Sequence, residues 1–349
     1  MGGIGIIGAG IVGLQTALAA VRKGYDVFVY EQSGGVGFGA SGHNAGVIHV
    51  LQPPFINRKA RLARKANPLY DELSETLGFK LVRLPLYLLY RRGVEKYLGI
   101  ASSAALRAMG FKVRLADMRE IVSSCPDVNP VFGGGIRVDG YATVIPLEVL
   151  NSIKKYLEEN GVHVSFSARV ESIGQSHGKP CILLEESREE CFERVIITAG
   201  PGVSGLVGEN DIPRIGFYKG VMVRVDLDCN AILARVRSST RSRETKGGGV
   251  IPWPDGTVLL GPTFSPTDNP WDTSYTREEV ENTVSLYKPL LSYRPEVRYV
   301  DAGTRSKNLS RDEFYVRRRD NIIITAGIDS PGFTASPLIA QDILMLAGL

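Results

Sequence analysis

Two histidines, His43 and His49, stand six residues apart in "GASGHNAGVIHV", residues 39–50, among small residues that offer an imidazole little side-chain company. With an ordinary pKa of about 6.5, an imidazole accepts a proton readily at neutral pH. The Gly and Ser around it bury little apolar area, and each Gly costs backbone entropy on ordering. Such a composition suits a wall where backbone must approach a flat ligand. Towards the C-terminus, Arg305 in "DAGTRSKN" carries a planar fork that can hold a carboxylate or phosphate through two parallel hydrogen bonds. The alternative for Arg305 is a pairing with a structural Asp. At the N-terminus, Gly8, Gly10 and Gly13 fall in the G-x-G-x-x-G spacing.

The elements that must hold these residues follow from period and punctuation. "GIGIIGAGIVGLQTALAAVRKGYDVFVYEQ" reads as strand, tight turn, helix and strand. Gly8 permits the turn, Gly10 lets backbone reach a pyrophosphate, and Gly13 lets the helix pack closely on the strand. The helix N-terminus then faces the phosphates with free N–H groups and the positive end of its dipole. Glu31 closes the second strand, 23 residues after Gly8, placed to accept hydrogen bonds from a ribose. A membrane span explains the stretch less well, because glycines interrupt the apolar run.

Further on, one helix is predicted over residues 57–78, then a strand in "LVRLPLYLLYR", a helix in "PLEVLNSIKKYLEENG", a strand in "VHVSFSARVESI" and a buried strand in "CFERVIITAGPG". Short alternating strands with turn signals between 212 and 300 suggest an antiparallel sheet. The last residues, "NIIITAGIDSPGFTASPLIAQDILMLAG", return to strand, turn and helix. The expected fold is therefore α/β, with a discontinuous Rossmann-type domain and an inserted α+β domain on an antiparallel sheet. Residues 1–80, 141–211 and 300–349 are assigned to the first, and 81–140 and 212–299 to the second.

With 349 residues, 44% apolar and 22% charged, the chain is a globular protein of about two domains. Its formal charge of +4 without a long Lys/Arg run argues against nucleic acid as a partner. The basic stretch "RVRSSTRSRETK" from Arg235 is expected to be a solvated hairpin, with contact to a membrane or an anionic substrate as the lesser reading. Cys125, Cys181, Cys191 and Cys229 form no C-x-x-C, which argues against a zinc ribbon or an iron–sulfur cluster. They read as buried or free thiols, with a disulfide left open. No basic n-region precedes the apolar N-terminus, so a cytoplasmic location is expected, with a peripheral contact at the inner face of the membrane as an extension. The chain stops at Leu349, just past the last helix, and no iron–sulfur electron-transfer domain is expected after it.

The scattered nucleotide-binding pieces favour a flavoenzyme over a nicotinamide enzyme. The chain resembles the FAD-dependent enzymes of the D-amino-acid-oxidase-like superfamily, near the branch of glycerol-3-phosphate and L-2-hydroxyglutarate dehydrogenases. The resemblance spans the whole chain and rests on the N-terminal fingerprint with Glu31, on "SGHNAGVIH", "KARL", "PLYDEL", "VIITAG" and the tail "AGIDSPGFTASPLIA". It implies FAD as cofactor, with Gly8, Gly10, Gly13 and Glu31 at the ADP half, Val170 meeting the adenine through its backbone, and Gly200 after "VIITA" beside the cofactor. It further implies that Ser41, Asn44 and Gly46 line the flavin, and that Arg305 stands beside the reacting centre. The alternative for Ser41 and Asn44 is a polar loop satisfying its own backbone. Gly332 and Thr334 are expected just before the last helix, its N-terminus aimed at the flavin to stabilise negative charge. An ordinary cap on Thr334 or Ser336, with Pro337 in the first turn, is the other reading there.

An amine that is already neutral can lose a hydride without a protein base, whereas an alcohol must surrender its hydroxyl proton as the hydride departs. His49 is the candidate for that proton, and its presence tilts the expectation towards a hydroxy compound. The alternative is a His49 that hydrogen-bonds backbone near the cofactor. His43 is a candidate cofactor contact, with a covalent link to the flavin as a lesser reading. Lys219 and Tyr218 are weaker candidates for the pocket wall. The expected reaction is hydride removal from a small anionic hydroxy compound, glycerol 3-phosphate ahead of a 2-hydroxy acid, with electrons passed to an external acceptor: oxygen, quinone or protein. Rival readings are an amino-acid oxidase or dehydrogenase, and a flavoprotein subunit that only holds FAD or relays electrons. The sequence departs from the family at Val50, Leu51, Gln52, Pro53 and Pro54, and at Ser306 after the arginine, which bears on the substrate.

Overall fold

The strand Ile4–Ile7 is buried at every position and lies between two parallel neighbours, Val27–Tyr30 and Arg194–Ile197. A strand covered on both faces must be apolar throughout, which explains why "IGII" does not alternate. In this computed structural model, which describes residues 3–236 and 248–349, the sheet runs in the order Tyr315–Arg319, Ile322–Ala326, Arg194–Ile197, Ile4–Ile7, Val27–Tyr30, His163–Ser165. Every pairing in it is parallel except that of Tyr315–Arg319 with Ile322–Ala326. In chain order the helices are α1 (Ile11–Val21), α2 (Arg58–Ala66), α3 (Leu69–Leu77), α4 (Val94–Ala108), α5 (Met118–Ser124), α6 (Pro146–Glu159), α7 (Arg277–Tyr287) and α8 (Gly332–Ala347). Leu14 and Leu18 of α1, Val149 and Ile153 of α6, and Ile339 and Ile343 of α8 join Ile4 and Ile6 in one core. This is the expected Rossmann-type layer.

The second sheet has the order Ser265–Thr267, Ile215–Val225, Val258–Gly261, Gly249–Pro252, Ile232–Arg235, Leu81–Arg91, Phe132–Val144, Val47–Ile48. Val297–Asn308 also pairs with Ile215–Val225, and Val113–Ala116 with Phe132–Val144. The sheet is antiparallel, as expected, apart from the parallel pairing of Ile232–Arg235 with Leu86–Leu89. Its strands cross the boundaries read from the sequence. Val47–Ile48 pairs with Ala142 and Thr143, and Val297–Asn308 stays in this sheet for its whole length.

Two local expectations are corrected. The helix predicted over 57–78 breaks into α2 and α3 around Pro68, which lacks the N–H needed to continue a helix. The strand predicted in "VHVSFSARVESI" breaks after Ser165, where Ser167 adopts φ 51° and the Ser167 and Ala168 N–H groups donate to Ser33 and Glu31 carbonyls. The chain there folds around the Glu31 loop instead of extending. All four cysteines are paired, Cys125 with Cys229 and Cys181 with Cys191, so the reading as free thiols does not hold. Among the described residues no helix is long and apolar enough to cross a membrane. The basic stretch after Val236 lies outside the described residues.

Candidate active site

One cavity of about 1480 Å³ runs from the first sheet into the second. Its nucleotide end begins at Gly8, whose φ of 102° turns the chain from strand into α1. Thr198 braces that turn by donating from its hydroxyl to the Ile7 and Gly8 carbonyls at 2.9 and 3.1 Å. Gly10 caps α1 without a side chain, and the helix receives its cap from afar: Ser41 Oγ accepts the Ile11 N–H at 2.9 Å. A Cβ at Gly10 would meet only Ser41 Oγ, at 3.2 Å, so Gly10 faces open cavity, the approach that a pyrophosphate requires. Gly13 differs. It does not line the cavity, and a Cβ there would stand 1.9 Å from the Gly8 carbonyl oxygen, so its role is close packing of helix on turn.

Glu31 lines the cavity with both carboxylate oxygens engaged, Oε2 by the Ala9 N–H at 2.8 Å and Oε1 by the Ser33 N–H at 2.9 Å. Each oxygen has a further lone pair for a ribose hydroxyl. Val170 and Gly200 also face this end of the cavity, as does Ser41. Ser41 therefore lines the cavity at the N-terminus of α1, where its hydroxyl caps the helix.

The loop 39–46 holds itself in shape largely through Asn44, whose Nδ2 donates to the Ala40 and Ser41 carbonyls while Oδ1 accepts the Gly46 N–H at 2.9 Å. Asn44 lines the cavity, yet its side chain serves the loop. Gly46 leaves the wall altogether: its φ is 64° and a Cβ would stand 2.0 Å from the Val144 carbonyl oxygen. It is needed for the loop to lie against the second sheet. Trp253 Nε1 donates to the Ala45 carbonyl at 2.9 Å and ties the loop to that sheet as well.

At the far end, His43 Nδ1 lies 2.7 Å from Asp301, and this hydrogen bond raises the imidazole pKa above its ordinary value. His49 follows the short strand Val47–Ile48 and is clamped through its backbone. Its N–H donates to Thr334 Oγ1 at 3.1 Å, and its carbonyl accepts from Asn67 Nδ2 at 3.2 Å. Its ring stands edge-on to Tyr141 and lines the cavity with no hydrogen bond from a described residue. Desolvation pushes its pKa down to about 4, so the ring is neutral at neutral pH. Thr334 Oγ1 also donates to the Val47 carbonyl, which makes it a positioning residue for His49. Gly332 and Thr334 lie within the first turn of α8, not before it, and Pro337 is inside the helix. The reading of Thr334 or Ser336 as cap, with Pro337 in the first turn, is thereby corrected. In that turn the Gly332 N–H donates to the Asp329 carbonyl at 2.6 Å and the Ala335 N–H to the Pro331 carbonyl at 3.0 Å, while Gly332, Phe333 and Thr334 line the cavity.

Arg305 projects into the cavity from Val297–Asn308, opposite Tyr218 in the register. Its guanidinium lies 5.6 Å from the Phe264 ring centroid, and burial lowers its pKa while Asp329 holds it up. No described residue accepts a hydrogen bond from it. A Cβ at Gly220 would stand 2.9 Å from the guanidinium, so Gly220 makes room for the arginine. Asp329 is buried against Lys59, which also reaches Asp312 at 3.1 Å. Lys59 belongs to "KARL", a motif whose role in the site was not assigned from the sequence. Lys219 and Tyr218 do not line the cavity: Lys219 pairs with Asp272 and Glu279 at 3.2 and 2.7 Å, and Tyr218 stacks on Phe264.

The family model for FAD dependent oxidoreductases matches residues 4–345. A glycerol 3-phosphate dehydrogenase of Caloramator mitchellensis is 23% identical over 98% of this chain and 72% of its own length. A glycerol 3-phosphate oxidase of Mycoplasma genitalium is 22% identical over 99% of this chain and 94% of its own. Among solved structures, the L-alpha-glycerophosphate oxidase of Mycoplasma pneumoniae, with FAD bound, superposes with a TM-score of 0.87 at 20% identity, covering 99% of this chain and 94% of that one. A glycine oxidase of Geobacillus kaustophilus reaches 0.86 at 19% identity with the same coverage, so the fold alone does not separate alcohol from amine chemistry. The glycine turn, the helix end beside it and the open approach at Gly10 fit a dinucleotide, and this chain belongs to the family of FAD-dependent oxidoreductases.

Proposed function

We propose that the protein oxidises the CH–OH group of a small anionic alcohol, glycerol 3-phosphate ahead of a 2-hydroxy acid. The observation that carries this reading is the placement of a neutral imidazole, His49, and a half-buried cation, Arg305, on the wall of one cavity. Bound FAD supplies the acceptor for the hydride. Arg305 binds the phosphate or carboxylate, since a guanidinium held against an aromatic ring and donating to no described residue keeps its donors for a ligand. That anchor fixes the position of the hydroxyl-bearing carbon in the cavity.

His49 takes the hydroxyl proton as the hydride departs. Its low pKa keeps the lone pair free, and the negative charge of a ligand on Arg305 raises its basicity when substrate is present. Thr334 and Asn67 hold the His49 backbone through its N–H and its carbonyl, which fixes the position of the base. The first turn of α8 contributes the positive end of a helix dipole where negative charge develops. The relatives named for glycerol 3-phosphate support the choice of donor. Electrons then leave to an external acceptor.

The test is anaerobic bleaching of the flavin absorbance by glycerol 3-phosphate, 2-hydroxyglutarate, glycine and proline in turn. Reduction by glycerol 3-phosphate at a saturable rate supports the reading. Reduction by the amino acids alone overturns it.

A further inference from the structure

The cavity of about 1480 Å³ exceeds the roughly 300–1000 Å³ of a pocket for one small ligand. Part of its wall is a lobe formed by the second sheet, by α4 and by the stretch after His49. The floor is Leu86 and Leu88 of Leu81–Arg91, Ile136 of Phe132–Val144 and Ile232 of Ile232–Arg235. Register puts Ile232 beside Leu86 and Leu88 beside Ile136, so these side chains share one face of the sheet. The alternate residues Tyr87, Leu89 and Leu233 pack into a separate core on the other face. Strands with one face on a core and one towards solvent ordinarily alternate apolar with polar. Here both faces are apolar.

The roof is hydrocarbon as well. Leu51 and Phe55 come from the stretch after His49, and Leu106 comes from α4. Tyr141 stands next to the His49 ring, and its hydroxyl is engaged by the Leu51 backbone, donating to the carbonyl at 2.8 Å and accepting the N–H at 3.2 Å. What Tyr141 adds to the lobe is ring carbon. The polar residues beside these, Gln52, Ser102 and Arg235, are part-exposed, and Arg235 lies 3.5 Å from Glu95. An apolar wall left to water is unfavourable, and a hydrocarbon ligand removes that contact.

We infer that this lobe binds a hydrocarbon side chain of the substrate, and that the protein oxidises 2-hydroxy acids with alkyl or aromatic side chains in addition to a three-carbon donor. The inference rests on the reading of Arg305 as anion anchor and His49 as base. With the carboxylate on Arg305 and the hydroxyl at His49, the side chain is the substituent left for the lobe. The C2–H bond breaks with its electron pair passing to bound FAD, the hydroxyl proton passes to His49, and a 2-oxo acid is released. From Ile136 to Ile232 the floor spans two inter-strand steps, about 10 Å, which a side chain of several carbons fills and a methyl group does not.

The test uses the FAD-loaded full chain and two series of ligands. Anaerobic flavin reduction is followed with lactate, 2-hydroxybutyrate, 2-hydroxyhexanoate and 3-phenyllactate, and the affinity of the unreactive carboxylates acetate, butyrate and hexanoate is read from the flavin absorbance. Reduction efficiency and affinity are each expected to rise by about fourfold for each added methylene. Ala234→Phe, which puts a ring on the floor beside Leu88, should flatten both series, and Leu88→Ala should extend the rise to longer chains. Each slope is taken within one protein, so a loss of folded or FAD-loaded protein cannot mimic it. Flat series in the wild type overturn the inference, while reduction by glycerol 3-phosphate or lactate in the same preparation leaves the alcohol reading standing. Slopes unchanged in both variants place the hydrocarbon elsewhere and overturn it too. Tight binding of a naphthoquinone with both series flat assigns the lobe to an apolar acceptor and equally overturns it. Reduction by amino acids alone, beside a rising carboxylate series, overturns the alcohol reading and with it the hydroxy-acid donor, and supports the hydrocarbon subsite.

Discussion

Asp301 holds His43 through a hydrogen bond of 2.7 Å that spans 258 residues of sequence, joining the loop after the second strand to the sheet that carries Arg305. Residues 301, 303 and 305 alternate onto one side of their strand, and Gly303 makes the space in which His43 lies, since a Cβ there would stand 2.4 Å from His43 Cβ. The pair therefore locks the glycine-rich loop to the strand of the candidate anion site.

That lock is pH-dependent in a defined direction. The pKa of His43 is raised by Asp301, so its contribution to stability is complete below about pH 6.5 and is lost as pH rises through the higher folded-state value. Both side chains are partly exposed, which limits the contribution to under about 1 kcal/mol. The difference in melting temperature between wild type and Asp301→Asn should be positive near pH 6 and shrink in alkali. A difference that grows with pH contradicts the assignment.

For His49 the chemistry is the readout. His49→Ala should slow flavin reduction by about 10² to 10⁴ while FAD stays bound. Because only neutral imidazole accepts a proton and burial sets its pKa at about 4, kcat/KM should be flat around neutrality and fall only in acid near that value. A reading from composition alone would put this limb at the ordinary histidine pKa. Stopped-flow reduction across pH decides between them.

Arg305→Ala should weaken the anionic substrate by about 2 to 5 kcal/mol, the range for truncating one member of a desolvated charge pair. FAD content should not change. Gly220→Ala is a second probe: its Cβ would crowd the guanidinium at 2.9 Å and the Thr263 carbonyl oxygen at 3.0 Å, and a raised KM with retained FAD is expected. Unchanged affinity in both variants would move the anion site elsewhere.

The fingerprint glycines should separate by phenotype. Gly13→Ala drives a Cβ to 1.9 Å from the Gly8 carbonyl oxygen and should cost at least about 2 kcal/mol of stability. Gly10→Val meets little protein and should fold, yet fail to retain FAD. Thermal melting and absorbance of the purified variants read the two effects independently.

Thiol titration of the unreduced, unfolded chain should find no free cysteine. Chain-entropy reasoning assigns about 4 to 5 kcal/mol to Cys125–Cys229, with a separation of 104 residues, and about 2 to 3 kcal/mol to Cys181–Cys191, with a separation of 10. Cys125→Ser should therefore lower the denaturation midpoint further than Cys181→Ser.

What was legible in the sequence was whatever depends on neighbours along the chain. The run from Ile4 to Glu31 encodes strand, turn and helix within one local unit, and the glycine spacing announces an anion at a helix end before any tertiary contact is known. The two histidines, Arg305 and the turn before α8 were likewise visible as residue types in unusual company. Their placement depends on partners far away in sequence. Ser41 stands at the end of α1 because its hydroxyl caps Ile11, and Thr334 supports His49 because α8 packs beside Val47–Ile48. Gly46 left the cavity wall because the second sheet presses on it. The pairing of the cysteines, the partnership of His43 with Asp301 and the low pKa of His49 share that origin. Hydrogen bonds, disulfides and desolvation act over a few ångströms of space, and only the folded chain decides which residues stand that close.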